Sequence, residues 1–109
     1  PGLPSHPQHE LVKRQMDKAG SVFAFEVEGG RDRAHAVLDA LEMIDISNNI
    51  GDTKSLMTHP SSTTHSSLTE EVRQDMGVTQ GMLRISVGLE DPQDVIEDLD
   101  QALRKAGLA

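Results

Sequence analysis

Residues 82–107 read MLRISVGLEDPQDVIEDLDQALRKAG, and the change of period inside this stretch decides the fold class. As far as Val87, residue types alternate. Leu83, Ile85 and Val87 fall on one side and Met82, Arg84 and Ser86 on the other, which is the period-two pattern of a strand. From Asp91 onward the period lengthens. Asp91 is an N-cap candidate, and Pro92 fills the first helical position, where a missing N–H costs nothing. Val95, Ile96, Leu99, Ala102 and Leu103 form the expected buried stripe, with Glu97, Asp98 and Asp100 facing away. Arg104 and Lys105 lie at the end of the helix, where its dipole favours cations. A strand that runs into an amphipathic helix calls for a sheet covered by helices.

The same two periods recur upstream. SVFAFEV (21–27) places Phe23, Phe25 and Val27 on one strand face. After the turn at Glu28–Gly30, the residues Ala34, Val37, Leu38 and Leu41 repeat at helical spacing over 32–42. MIDIS (43–47) predicts a short strand, and a second one is expected at 55–58 after the NNIGD turn. Residues 68–76 suit a charged helix ended by Gly77. The first twenty residues suit an opening helix over 5–18, with Ser5 as cap, Pro7 in the first turn and Gly20 as the stop. The resulting order, α-β-α-β-β-α-β-α, contains the split β-α-β-β-α-β pattern. The expectation is an α+β domain: a mostly antiparallel four-stranded sheet with helices packed on one face, preceded by the helical segment 1–20.

Composition narrows the function. The chain has 109 residues, enough for one core. It has no cysteine, which excludes disulfides and thiol chemistry and fits a reducing, cytoplasmic setting. No apolar run approaches the ~20 residues needed to span a bilayer, and PGLPSHPQHEL is not a secretory leader. Eighteen acidic against ten basic residues give a net charge of −8, the wrong sign for displacing counterions from nucleic acid. Aromatics make up 2% of residues, too few for base stacking.

The polar segment GDTKSLMTHPSSTTHSS (51–67) holds His59, His65, Lys54 and a run of hydroxyls. Zinc would need three or four ligands, and His59 and His65, like His6 and His9, come only as a pair. The hydroxyls show no nucleophile-elbow spacing, and GDTKS lacks the first glycine of a phosphate loop. On composition alone the segment reads as a Ser/Thr-rich linker. Arg84, inside an apolar alternating strand, is either a solvent-facing edge residue or an anchored fork for a carboxylate.

Two blocks carry a family resemblance. NNIGDTKSLMTHPSSTTH (48–65) resembles the "SLGG-x-ESL…HP…TH" block of the Cys/Met-metabolism enzymes that use pyridoxal phosphate. GMLRISVGLEDPQDVIEDLDQAL (81–103) resembles that family's closing "LLRLSVGIED…DLI.DL" block, and PGLPSHPQHEL resembles the opening of its C-terminal small domain. The wording GDTKSL is most similar to the O-succinylhomoserine sulfhydrylase branch.

The resemblance implies the C-terminal small domain of a fold-type I transferase of methionine biosynthesis. The full-length enzyme would bind pyridoxal 5'-phosphate and convert O-succinylhomoserine, or another O-acylhomoserine, and sulfide to homocysteine by γ-replacement. The cofactor would serve as electron sink. Arg84 matches the family arginine that forks onto the substrate α-carboxylate, and Ser55 matches a serine that helps hold the same group. Lys54 replaces a glutamate common in the lyases and synthases, and a cation there complements a succinyl group. His59 and Thr64 match without an assigned role. None of Lys13, Lys18, Lys54 and Lys105 lies in the cofactor-lysine motif, so the large cofactor-binding domain is expected to be absent and this chain alone inactive. The family also implies a homotetramer, and an apolar face left open where the large domain docks. The reading set against it is a free-standing ferredoxin-like regulatory module that binds a small amino acid.

Overall fold

The computed structural model describes residues 1–108. In chain order it contains α1 (His9–Gln15), β1 (Val22–Glu26), α2 (Gly30–Ala40), β2 (Asp45–Ile46) and β3 (Leu56–Thr58). A 3₁₀ turn (Pro60–Ser62), α3 (Glu70–Asp75), β4 (Met82–Ser86) and α4 (Pro92–Lys105) follow. The strands form one sheet in the order β1-β4-β3-β2.

Strand β4 is central and antiparallel to both neighbours, with Phe23 and Met57 opposite Ile85, and Ala24 and Thr58 opposite Arg84. The sheet is nevertheless mixed, because β2 runs parallel to β3 with Asp45 opposite Leu56. NNIGD is therefore no hairpin turn. Residues 47–55 form a crossover, which two adjacent parallel strands require.

Leu83 and Ile85 of β4 and Met57 of β3 meet Ala34, Val37 and Leu38 of α2 and Val95 and Ala102 of α4 in one core. The helices that build this core thus cover one face, as the two periods require. The opposite face carries Arg84 and Ser86 with their cross-strand partners Thr58 and Leu56.

Three local expectations are corrected. The opening helix is only His9–Gln15. Its N-cap is Gln8 rather than Ser5, and it buries no residue. The strand expected at 43–47 shrinks to two residues because the Met43 and Ile44 N–H groups bond the Asp98 carboxylate instead of a neighbouring strand. On α4 the inward face includes Asp98, 6% exposed, whereas Ile96 is 57% exposed. The Asp91 cap was legible: its Oδ1 accepts from Gln93 N at 2.8 Å. Thr69 caps α3 as well, its Oγ1 accepting from Val72 N at 3.3 Å.

Candidate functional site

Alternation along β4 puts Arg84 and Ser86 on the face away from the helices, and the crossover 47–55 lies against both. Arg84 Nη2 donates to the Asn48 carbonyl at 2.8 Å, and Gly51 N donates to Ser86 Oγ at 3.0 Å. Arg84 Nε is buried without a hydrogen-bond partner. An orphaned buried donor of a charged group costs free energy, so Arg84 is the group of this face whose hydrogen bonding is incomplete.

Ser55, where β3 begins, is fully buried. Its Oγ donates to Glu90 Oε1 and its backbone N–H to Glu90 Oε2, both at 2.8 Å. Gly88 N in turn donates to Ser55 Oγ at 2.9 Å. The Ser55 backbone N–H, above all, holds the Glu90 carboxyl below the usual carboxylate range, against burial; the Ser55 hydroxyl and Lys54 add to the effect. The proton of Ser55 is thus committed inside the chain.

Lys54 is exposed, and its ammonium pairs with the Asp45 carboxylate. That hydrogen bond and charge raise its pKa, with smaller contributions from Glu90 and Asp52 against a slight desolvation.

The histidines separate. His59 is buried. Its Nε2 donates to the Gln80 carbonyl at 2.6 Å, so Nδ1 is left to accept from Ser62 Oγ at 2.7 Å. His35 on α2 approaches Ser62 Oγ and His59 Nδ1, each at 3.3 Å, and the two rings meet edge to face. Burial pushes the His59 pKa down, assisted by His35 and Arg31 and opposed by the Gln80 carbonyl. Thr64 Oγ1 lies 2.7 Å from His65 Nδ1 at the surface. His6 accepts from Gln8 N, and His9 lies against the Pro1 carbonyl. Among the described residues no group of three or more His, Asp or Glu is placed to hold a metal.

Sequence reasoning missed Glu90, His35 and the Asn48 carbonyl. Each acts through contacts distant in the chain, and neither a glutamate before a helix cap nor a backbone carbonyl announces such a role. Lys13, Lys54 and Lys105 are exposed in surface ion pairs, and Lys18 is exposed.

The chain is thus an α+β unit whose sheet carries an anchored arginine on the side away from the helices, beneath the crossover 47–55. The model of the Cys/Met metabolism PLP-dependent enzymes matches residues 1–104, and the chain belongs to that family. It is 52% identical over 107 residues to an O-succinylhomoserine sulfhydrylase of Mycobacterium tuberculosis (strain ATCC 25618 / H37Rv), an alignment covering 94% of this chain and 26% of the relative. An L-methionine gamma-lyase of Fusobacterium nucleatum subsp. polymorphum is 44% identical, covering 96% and 27%. Cystathionine gamma synthase from Xanthomonas oryzae pv. oryzae, solved in complex with cystathionine, superposes with a TM-score of 0.89 at 38% identity, covering 97% of this chain and 27% of that one. The chain thus spans about a quarter of the length of the relatives it matches. The family is PLP-dependent. Among the described residues, no helix is long and apolar enough to cross a membrane.

Proposed function

We propose that this chain supplies the substrate-carboxylate wall of a PLP-dependent enzyme that converts O-succinylhomoserine, or another O-acylhomoserine, and sulfide to homocysteine. The observation that carries the reading is Arg84, anchored through Nη2 on the Asn48 carbonyl while its buried Nε has no partner. A guanidinium held in this way can meet an α-carboxylate in the forked geometry available to arginine and not to lysine. Ser55 borders the same crossover, and its hydroxyl reaches a substrate only by exchanging Glu90 for it.

Lys54 supports the succinyl branch. Its pairing with Asp45 is exposed, and such a pair is worth little, so a succinyl carboxylate can share the ammonium at small cost. The 52% identity to a sulfhydrylase against 44% to a methionine gamma-lyase favours the same branch. The family match through residue 104 gives no support to a free-standing regulatory module. A cytoplasmic homotetramer remains part of the proposal.

The test is steady-state kinetics of the complete enzyme carrying this chain, with O-succinyl- and O-acetylhomoserine as alternative substrates. Arg84→Lys is expected to raise KM for both by roughly tenfold or more, the loss of a charged hydrogen bond. Lys54→Glu should selectively weaken the succinylated substrate. Unchanged KM in Arg84→Lys removes Arg84 from the site, and an unchanged preference in Lys54→Glu removes Lys54.

A further inference from the structure

The crossover 47–55 lies over the face that carries Arg84, and it is tied down at both ends. At its start, Arg84 grips the Asn48 carbonyl and Ser86 Oγ accepts from Gly51 N. At its end, the turn after β4 does the holding: Leu89 N donates to the Thr53 carbonyl at 2.8 Å, and Glu90 takes both donors of Ser55. The fit is close. A Cβ added to Gly88 would stand 2.3 Å from the Thr53 carbonyl oxygen and 2.6 Å from the Lys54 carbonyl carbon, so this turn rests directly on the main chain of the crossover.

We propose that Glu90 is a positioning residue for the carboxylate site, a latch that sets the crossover and thereby aims Arg84. The proposal rests on the reading of Arg84 above. The Asn48 carbonyl aims the guanidinium, and Asn48 belongs to a segment whose far end is placed by Glu90. A carboxylate is required by donor arithmetic. The Ser55 N–H and O–H converge on two separate oxygens, and the Ser55 oxygen already accepts from Gly88 N. A glutamine offers one acceptor oxygen and turns a donor toward the other group, so one Ser55 hydrogen is left unpaired.

The experiment compares Glu90→Gln, Arg84→Lys and the double variant in the complete enzyme, reading KM and kcat for the O-acylhomoserine beside the melting temperature. Glu90→Gln is expected to raise KM about tenfold with kcat within about twofold, and to add little once Arg84 is already lysine, because both changes act on one contact. Unchanged KM, with or without a lower melting temperature, makes Glu90 a purely structural residue and overturns the proposal. Additive effects in the double variant also overturn it, since Glu90 would then act elsewhere than through Arg84. Should Glu90→Gln fail to fold, Glu90→Asp keeps the charge but shortens the reach to Ser55, and the same KM criteria apply to it. A rise in KM for Arg84→Lys alone would leave the functional reading standing without the latch. No rise for Arg84→Lys would sink that reading first.

Discussion

Replacing Asp98 with asparagine is expected to lower unfolding stability by about 1.5–3 kcal/mol, the range for lost hydrogen bonds to a charged acceptor. One Asp98 oxygen accepts from Glu42 N at 2.8 Å and from Gln101 Nε2 at 2.9 Å; the other accepts from Met43 N and Ile44 N at 2.9 and 2.8 Å. An amide keeps the shape but turns N–H donors toward N–H donors. Burial alone would push the Asp98 carboxyl up. The bonds from Ile44, Glu42, Met43 and Gln101 outweigh it and hold the pKa below the usual aspartate range. The contribution is therefore present above the unfolded pKa of about 3.9 and lost as pH falls below it. Urea titrations of wild type and Asp98→Asn at pH 7 measure the difference, and equal midpoints would refute the role. Helical periodicity placed Asp98 outside because it ranks residues by polarity. The partners that bring it inside are backbone N–H groups 54–56 residues upstream, which no residue-type pattern displays. Arg84 drew attention in the sequence because a charge on an alternating strand breaks its own pattern. Even so, periodicity left fork and edge residue equally open until the family resemblance was added.

The segment from His59 to Leu68 shows the same limit for a whole element. Its composition is that of a linker, yet His59, Pro60 and Ser61 are buried, and Arg73 holds the segment's end by donating to the His65 and Leu68 carbonyls. The groups that face His59 come from three places: His35 and Arg31 on α2, Ser62 in the 3₁₀ turn, and the Gln80 carbonyl ahead of β4. Burial lowers the pKa of His59 in the folded state, so the unfolded chain binds the extra proton more readily. Stability is then undiminished above the unfolded histidine value of about 6.5 and declines as pH falls below it. Denaturation midpoints at pH 7.5 and 5.5 should show that decline, and His59→Gln should flatten it. A slope that persists in the variant would assign the effect to other groups. The parallel pairing of β2 and β3 escaped the sequence for a related reason. Two short alternating runs separated by NNIGD fit a hairpin and a crossover equally well, and the choice falls to contacts such as Gly51 with Ser86.

At the scale of the molecule, acidity and exposed apolar surface oppose each other. The net charge of −8 opposes contact between copies of this chain at neutral pH, while Leu3, Met16, Val22, Phe23, Ile50 and Leu89 stand open to solvent. Lowering the pH removes the repulsion, which vanishes near the isoelectric point of about 4.9. The descent reaches the three effects in order: His59 begins to weaken the fold below about 6.5, charge neutrality follows, and the Asp98 cap fails only below about 4. Association is therefore expected between the first and the last, from chains whose sheet and helices are still formed. Light scattering should rise as pH falls from 7 to 5 at low ionic strength. At pH 7 added salt should raise it as well, because 0.1 M salt screens exposed charges beyond roughly 10 Å. Near pH 4.9 salt should change it little. Scattering that stays flat between pH 7 and 5 would mean that the exposed apolar side chains are too dispersed to hold copies together, and that charge does not govern their association.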